Sequence, residues 1–470
     1  MDSPGRVKYR GKPTSREKGS TNGFTNGVKK HAKSRTGVLD NEQELEQAIT
    51  HTSSKHKDGN GARKSTEEQQ HRAMVNHNSS SQKDRKEQKV NFCSVNTPWR
   101  RRLQTLAVAW HVGSFVYISA FAMLALANPI MWILMIPYMG YYAMDRSPAN
   151  GNVTRRYSPW FRSLSFWHYY CAYYPIRLHK TADLPPSFTA KESTGKSTKS
   201  PYRISFKIRI YPFKYSLKFN ILKRSNSSIE PEMEATGPRY IFGYHPHGVA
   251  ALGAFGAFAT EGAHFSQLFP GVKMCLMTLI NQFQIPFYRD YLLFLGITSV
   301  SKKNALRVLQ RNHSICIVVG GAQEALLSKI DSADLVLKRR KGFIKLALET
   351  GNVSLVPCYA FGETDCYNIL QTDEASYLHR LQLWFKKSYG FTIPFFFARG
   401  LFNYDFGLIP FRSPINVVTG NPIYVKDKHE NPTMEEIDYY QNLYLEELER
   451  IFYSNRKQFG YEHQELKFVE

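Results

Sequence analysis

Two histidines separated by one proline stand where an apolar segment meets a glycine, in the sequence His245-Pro246-His247-Gly248. The short apolar segment from Tyr240 to Tyr244 predicts a buried strand, and the small residues from Val249 to Thr260 predict a helix. An imidazole at such a junction can take the proton of an attacking alcohol near neutral pH, while N–H groups at a helix start can stabilise an oxyanion. The pattern favours a general base, and the first histidine is placed where it could orient the second.

Other chemistries compete for the same histidines. Alternate histidines on a strand point the same way and could bind zinc, but no carboxylate follows them before Glu261, so we expect no metal. A structural histidine pair that caps the helix is the second alternative. The sequence has no Gly-x-Ser-x-Gly elbow and no cysteine in an evident basic, exposed setting, so a covalent nucleophile is not indicated.

A second candidate group follows the predicted strand from Ile315 to Val319. There Gly320 and Gly321 lead into a helix whose first turn holds Glu324. Ordinary helix-start chemistry explains a carboxylate at this place, and the functional alternative is a group that orients a histidine or contacts an acceptor. Arg289 and the run from Lys338 to Lys341 offer cations to a phosphate-rich co-substrate such as coenzyme A, although such a run is also typical of a solvated surface.

The elements around these residues alternate between short strands and helices. Apolar residues alternate with polar ones from Ile204 to Ile210, and further strands are predicted from Val353 to Phe361, at Val417-Val418 and at Ile423 to Val425. Near the C-terminus, apolar residues recur at helical spacing, which predicts a packing helix. The pattern predicts an α/β fold with a mostly parallel sheet flanked by helices, and ligand groups gathered at the strand ends.

A 42-residue stretch from Leu103 to Met144 contains no Asp, Glu, Lys or Arg. A helix of about 20 apolar residues crosses a bilayer, so the stretch has room for two passes, and Asn128-Pro129 near its middle predicts the turn of a hairpin. Arginines flank the stretch on both sides, which predicts that both flanks are cytoplasmic. A buried helical pair in a soluble protein is the alternative. His111, inside the first helix, indicates either a functional role or a simple hydrogen bond.

The first ninety residues carry 19 Lys and Arg against 11 Asp and Glu, and their composition is too polar to form a core. This segment predicts a disordered basic tail that holds about a third of the net charge of +23. The remaining charge suits an anionic membrane surface, and no stacking-aromatic motif accompanies the basic runs, so nucleic-acid binding is not expected. The six cysteines show no metal-type spacing and are predicted to be reduced core residues.

The chain resembles the type 2 diacylglycerol acyltransferases from Arg101 to Val469. The resemblance is carried by five motifs, which in this sequence are Tyr173-Tyr174-Pro175, Tyr244-His245-Pro246-His247-Gly248, Pro286-Phe287-Tyr288-Arg289, Val319-Gly320-Gly321-Ala322-Gln323-Glu324, and Arg340-Lys341-Gly342-Phe343 continuing to Val356-Pro357. Tyr174 stands where the family commonly has Phe. Distant relatives of the family pair a His with an Asp, with four residues between them, whereas Ala250 and Leu252 occupy the corresponding places here.

The resemblance implies transfer of a fatty acyl group from acyl-CoA to diacylglycerol, giving triacylglycerol at the endoplasmic reticulum membrane and on lipid droplets. It also implies a glycerolipid acyltransferase-like body with a hairpin membrane anchor, both termini in the cytosol, acyl-CoA as a co-substrate with no bound cofactor, and contact with membrane lipids. The predicted organisation is a tail (1–95), a membrane hairpin (96–150) and a cytosolic-facing acyltransferase domain (151–470).

On this interpretation His247 is the catalytic base, with His245 beside it and Glu324 as the candidate carboxylate. The residues assigned to substrate binding are Gly248, Arg289, Gly320, Gly321, Lys341, Tyr173, Tyr174 and Pro175. Two alternatives stay open: an acyltransferase that acts on monoacylglycerol or a fatty alcohol, and a non-catalytic lipid-binding protein of lipid droplets.

Overall fold

The computed structural model of the protein describes residues 96–190, 203–210, 215–222, 233–369, 376, 377, 380, 381, 384 and 395–469. The predicted tail (1–95) lies outside the described residues, and so does the segment from Lys191 to Ser200, for which the polar sequence predicts a loop. Those that are described all belong to one unit, which extends from Gln88 to Glu470.

The α-helices of the described part are, in chain order, α1 (Trp99–Ala127), α2 (Trp132–Met144), α3 (Val153–Arg156), α4 (Pro159–Arg162), α5 (Ser165–Tyr173), α6 (Leu252–Ala254), α7 (Phe265–Leu268), α8 (Tyr288–Phe294), α9 (Lys302–Gln310), α10 (Gly321–Leu327), α11 (Gly342–Thr350) and α12 (Met434–Asn455). Short 3₁₀ segments lie at Pro129–Met131, Ser147–Ala149, Ile280–Gln284 and Thr364–Cys366, and a π-helix at Phe255–Ala259 continues α6.

The strands are β1 (Ile176–Lys180), β2 (Phe188–Ala190), β3 (Arg203–Ile210), β4 (Tyr215–Leu222), β5 (Met233–Ala235), β6 (Arg239–His245), β7 (Met274–Thr278), β8 (Thr298–Ser299), β9 (Ser314–Val318), β10 (Asp334–Val336), β11 (Val353–Phe361), β12 (Asn368–Ile369), β13 (Phe396–Phe397), β14 (Ile415–Thr419), β15 (Ile423–Val425) and β16 (Lys467–Val469). The main sheet has eight strands in the order β1-β14-β11-β6-β9-β7-β8, and β15 pairs with β11.

The main sheet is mixed, and helices flank it. Neighbours β11, β6, β9, β7 and β8 run parallel, as do β1 and β14, while β14 and β15 run antiparallel to β11. All nine residues of β11 are buried, as are six of the seven residues of β6, because these strands are covered on both faces. The expectation of strands alternating with helices is therefore confirmed, and β3 confirms the strand predicted from Ile204 to Ile210.

The predicted break between two apolar helices is confirmed at Asn128-Pro129. The side chain of Asn128 accepts a hydrogen bond from the amide of Ile130 at 3.0 Å, and Pro129 begins a single 3₁₀ turn before α2 starts. The 29-residue α1 is, by length and composition, able to cross a membrane. With 13 residues α2 is about 20 Å long, which is less than the hydrocarbon thickness of about 30 Å. Only one of the two expected passes therefore has a helix of sufficient length.

The first half of α1 packs against the body of the protein, where Ala107, Val108 and Ser114 are buried. The ring of His111 lies 3.7 Å from that of Phe255 and 5.0 Å from that of Tyr170, measured between centroids. The remaining faces of α1 and α2 expose large apolar side chains, among them Phe115, Val116, Phe121, Leu124, Ile133, Leu134 and Ile136. One end of the helix pair is thus fixed to the body, while much of its surface is apolar and uncovered.

Candidate active site

Two turns meet at the carboxyl edge of the sheet. Strands β6 and β9 are parallel neighbours with Tyr244 opposite Val318, and the amide of Val319 donates to the carbonyl of Tyr244 at 3.2 Å. Because parallel neighbours end at the same edge, the turn after His245 lies beside the turn at Gly320. The structure therefore brings together the two motifs that the sequence separates by more than seventy residues.

The first histidine of the pair belongs to the core. The ring of His245 is fully buried, and its Nε2 lies 2.9 Å from the hydroxyl of Tyr444 on α12. That hydroxyl donates to the carbonyl of Gly243 at 3.1 Å, so Nε2 of His245 is the donor in their hydrogen bond. Burial lowers the pKa of His245 to about 3, and the imidazole is therefore neutral. Its ring contacts α12 and does not orient His247.

The second histidine is partly exposed and has the opposite tautomer. Nδ1 of His247 lies 3.0 Å from the carbonyl oxygen of Gly248, and a carbonyl only accepts, so Nδ1 carries the proton. No described residue forms a hydrogen bond with Nε2, which keeps its lone pair. Burial lowers the pKa of His247 below its ordinary value, which maintains the neutral form at pH 7. The backbone carbonyl thus fixes the tautomer and direction of this ring, as a carboxylate does in a His–Asp pair, without adding a negative charge.

The carboxylate of Glu324 holds the turn through backbone amides. Its Oε1 accepts from the amide of His247 at 2.6 Å, and its Oε2 accepts from the amide of Val336 at 2.8 Å. The side chain is buried, and this burial raises the pKa of Glu324 to about 7 against the opposite effect of the two amide donors. Glu324 therefore contacts His247 as the sequence suggested, but through the main chain and not through the imidazole.

A second buried carboxylate supports the turn from the other side. Glu363, directly after β11, accepts from the hydroxyl of Tyr244 at 2.7 Å and from the amides of Leu252 and Gly253 at 2.6 and 2.8 Å. Burial raises the pKa of Glu363 to about 7. Gly248 has φ +59, and a Cβ there would lie 2.8 Å from Cγ of Glu363. Close approach and a left-handed backbone both require glycine at this position.

The helix after the turn starts later than the sequence predicts. The region from Val249 to Ala251 is a turn, and α6 begins at Leu252, so the predicted start at Val249 is wrong by three residues. Glu363 already caps the first amides of the helix. An oxyanion beside His247 therefore has the amides of the preceding turn as its nearest backbone donors, and not those of the helix itself.

A basic cavity of about 520 Å³ opens beside the second turn. Gly320 and Gly321 line it, and both have positive φ, with open space around the Cα of Gly321. The cavity also takes in the N-terminus of α11 and the side chains Lys302, Arg339, Arg340 and Lys345. Backbone amides, a helix N-terminus and cations together favour an anionic ligand.

Several residues assigned to substrate binding lie elsewhere. Lys341 pairs with Asp438 on α12 and does not line the basic cavity. The guanidinium of Arg289 donates to the carbonyls of Phe283 and Tyr142 and stacks on the Tyr142 ring, so it joins the end of α2 to the body.

The Tyr-Tyr-Pro motif ends α5 and leads into β1. The hydroxyl of Tyr173 donates to the carbonyl of Pro410 at 2.7 Å, the carbonyl of Pro175 accepts from the amide of Ile415, and the buried ring of Tyr174 packs on that of Tyr170. Tyr170 in turn donates to the carbonyl of Leu252, next to the histidine turn. The motif therefore contacts the segment that follows the histidine turn only indirectly, through the buried ring of Tyr170.

Two residues that support the histidine turn, Tyr444 and Glu363, are not marked as such by the sequence. Tyr444 belongs to the C-terminal segment whose helical spacing predicts a packing helix, and nothing in that spacing shows that its hydroxyl reaches His245, 199 residues away. Glu363 follows the mostly apolar strand β11 after one glycine, and a carboxylate at that place was the available signal. In the described residues, no group of three or more His, Cys, Asp or Glu side chains is placed to hold a metal ion.

Residues 124–189 and 198–469 match the family described as diacylglycerol acyltransferase. A protein of Eremothecium gossypii named diacylglycerol O-acyltransferase 1 is 60% identical over 80% of this chain and 80% of its own length. A Saccharomyces cerevisiae protein of the same name is 56% identical over 82% of this chain and 90% of its own. The bovine 2-acylglycerol O-acyltransferase 1 is 36% identical over 79% and 97%. No solved structure matches.

Proposed function

The chain belongs to the diacylglycerol acyltransferase family, as its motifs indicated, and from this premise we propose that it transfers a fatty acyl group from acyl-CoA to the free hydroxyl of diacylglycerol. The product is triacylglycerol. The observation that carries the chemistry is the tautomer of His247, whose Nδ1–H is held by the carbonyl of Gly248 so that Nε2 is an unoccupied base.

Direct attack by the acceptor accounts for the reaction. Nε2 of His247 accepts the proton of the acceptor hydroxyl while the hydroxyl oxygen attacks the thioester carbonyl carbon. The carbon–sulfur bond of the resulting oxyanion then breaks, and the imidazolium returns the proton to the leaving thiolate, giving the ester and free coenzyme A. Amides in the turn from Gly248 to Ala250 are the candidate donors to the oxyanion, whereas the amide of Ala251 already donates to the carbonyl of His247 at 3.2 Å.

The basic cavity is the candidate site for the phosphates of acyl-CoA. It lies at the turn beside His247, and the turn residues Gly320 and Gly321 line it without large side chains. Arg340 donates to the carbonyl of Gly320 at 3.1 Å, which fixes one cation at the mouth of this turn. A phosphate group held here would leave the thioester end of the molecule free to reach toward the histidine turn.

The apolar helix pair supports a membrane location for the acceptor. Diacylglycerol stays in the bilayer whereas acyl-CoA arrives from water, so the site must serve both phases. We propose that α1 and α2 enter the endoplasmic reticulum membrane and the lipid droplet surface as a hairpin that begins and ends on the cytosolic side, with the body and both termini in the cytosol. The exposed apolar surface of both helices and the arginines at Arg100 to Arg102 support this arrangement.

A glycerolipid acyltransferase-like fold for the body also remains a proposal. A mixed sheet flanked by helices, with a histidine turn at its carboxyl edge, is consistent with it. The main difference from the His–Asp pair of the family's distant relatives is the partner of His247, which here is the carbonyl of Gly248.

A monoacylglycerol acceptor is the second candidate, because the similar bovine protein is named a 2-acylglycerol O-acyltransferase. Purified, detergent-solubilised protein should therefore be offered labelled acyl-CoA with diacylglycerol, monoacylglycerol or a long-chain alcohol in parallel. We expect triacylglycerol from diacylglycerol as the main product. Faster turnover of either other acceptor would replace the proposed substrate.

The same assay needs two histidine variants. His247→Ala should abolish turnover, whereas His429→Ala, which removes a half-exposed imidazole paired with Glu436, should keep it. Absence of product from the unaltered protein with every acceptor would instead favour a lipid-binding role.

A further inference from the structure

A large cavity lies at the base of α1, far along the chain from the histidine turn. It has a volume of about 850 Å³ and is enclosed between the first turns of α1 and the loop from Arg399 to Arg412. We call it the boundary pocket. The lining residues on which the argument depends are Trp99, Arg101, Arg102, Arg399, Phe402 and Arg412.

The lining of the boundary pocket contains four arginines and no acidic residue. Arg412 donates to the side chains of Gln104 and Thr105 and to the carbonyl of Arg101, all of them neutral groups. Its guanidinium lies over the ring of Tyr173 at 4.1 Å, which fixes its direction. Burial and the nearby charges of Arg399 and Arg101 lower the pKa of Arg412. Arg412 is therefore held close to the positive charge of Arg101, and an anion bound beside the two guanidinium groups would stabilise both.

The rim of the boundary pocket is apolar and exposed. The lining residues Trp99 on α1 and Phe402 on the facing loop are 70% and 72% exposed, and Phe406 and Leu408 further along the same loop are 73% and 63% exposed. Exposed aromatic side chains next to arginines are typical of a membrane–water interface, where rings enter the headgroup layer and cations meet phosphates. The rim is also continuous with the apolar surface of α1, whose first turn forms one wall of the pocket.

We infer that the boundary pocket binds the phosphate headgroup of an anionic phospholipid, while Trp99, Phe402 and Phe406 enter the interface around it. The protein then has a second membrane contact besides α1, made by the loop from Arg399 to Arg412. Two contacts fix the tilt of the body as well as its distance from the bilayer. This inference rests on the proposed membrane location of α1, and the acyl-transfer reaction does not enter it.

Depth in the membrane provides the first test. Phe402→Cys is made in a Cys93→Ser background, because Cys171, Cys275, Cys316, Cys358 and Cys366 are buried. The protein carries a nitroxide label and is placed in bilayer nanodiscs of phosphatidylcholine with a minority of phosphatidylserine. A matched label replaces Tyr439, an exposed aromatic on α12. We expect oxygen to relax the label at 402 more than a water-soluble nickel chelate does, and the reverse at 439. Equal behaviour of the two labels overturns the inference.

Lipid selectivity provides the second test. Native mass spectrometry of the purified full-length chain measures retention of phosphatidylserine against phosphatidylcholine. We expect preferential retention of the anionic lipid, weakened about fivefold by Arg101→Gln, as the loss of one basic residue near an anionic headgroup implies. Arg450→Gln on α12 removes an arginine paired with Glu447 and serves as the control. Equal retention of both lipids, or no effect of Arg101→Gln, overturns the headgroup site.

Acyl transfer is measured on the same samples. If the label at 402 behaves like the one at 439 and the protein is fully active, the proposed second membrane contact is refuted and the proposed reaction is not. If the protein makes the second membrane contact but transfers no acyl group, the proposed reaction is refuted and the contact is not. The two ideas can therefore fail separately.

Discussion

Replacing each histidine of the turn by alanine should separate catalysis from stability. His247 is partly exposed, and its ring forms one hydrogen bond, to the carbonyl of Gly248. Loss of a general base typically lowers kcat by about 10²- to 10⁴-fold, which corresponds to roughly 3 to 5 kcal/mol of transition-state stabilisation. Loss of that one hydrogen bond costs only about 1 kcal/mol of unfolding free energy. His247→Ala should therefore be inactive and nearly as stable as the wild type.

His245→Ala should show the opposite balance. Its ring is fully buried, and its removal leaves a cavity and takes away the donor to the hydroxyl of Tyr444. A cost of about 3 kcal/mol is expected from comparable core truncations. In a folded unit of this size each kcal/mol shifts Tm by only roughly 1 to 2 °C, so Tm should fall by about 3 to 6 °C.

Both variants are assayed in the same detergent. Initial rates of triacylglycerol formation give kcat, and tryptophan fluorescence on heating gives Tm. The assignment of His247 as the base and His245 as a core residue is refuted if His247→Ala keeps more than about a tenth of the wild-type kcat. It is equally refuted if His245→Ala loses turnover at an unchanged Tm, since His245 would then act in the reaction itself.

Four further outcomes are expected. Gly248→Ala should destabilise the protein by about 1 to 2 kcal/mol and slow turnover, because φ is +59 and the new Cβ would meet Glu363. Thermal melting and rate assays check both effects. A variant with the stability and rate of the wild type contradicts the prediction. Burial lowers the pKa of His247, and protonation removes the base, so kcat/KM should fall only below pH 6.5; an acid limb above that value would count against His247. Burial raises the pKa of Glu363 from 4.5 to about 7, so between pH 4.5 and pH 7 the folded state binds more protons than the unfolded state. The unfolding free energy should therefore decrease as pH rises from 4.5 to 7. Glu363→Gln should flatten this pH dependence in denaturation curves. Arg339→Gln with Lys345→Gln should raise KM for acyl-CoA and not for the acceptor, and added salt should shrink the difference; an equal effect on both substrates would place acyl-CoA elsewhere.

Local sequence patterns were sufficient to predict the main elements. Apolar runs predicted β6, β9 and β11. These predictions succeed because a strand covered on both faces needs a mostly apolar run. The helix start after the histidine turn was missed, because small apolar residues are compatible with both turn and helix.

The motifs also indicated which turns matter, but not what each side chain contacts. Glu324 was expected near a histidine, and it binds the amide of His247 instead of the ring. Arg289 and Lys341 were grouped with the site on charge, yet the first joins α2 to the body and the second pairs with Asp438. A charged residue type shows that a counter-group is needed, whereas packing selects which one is within reach.

The sequence by itself determined the family, the apolar helix pair and the histidine turn, because these depend on residue order and on local periodicity. The tertiary structure alone decided that His245 faces Tyr444, that Glu363 supports the turn, and that the carbonyl of Gly248 holds the proton on Nδ1 of His247. Periodicity specifies which face of an element is buried. It does not specify the buried partner, since that partner comes from a distant part of the chain and is fixed only when the elements pack.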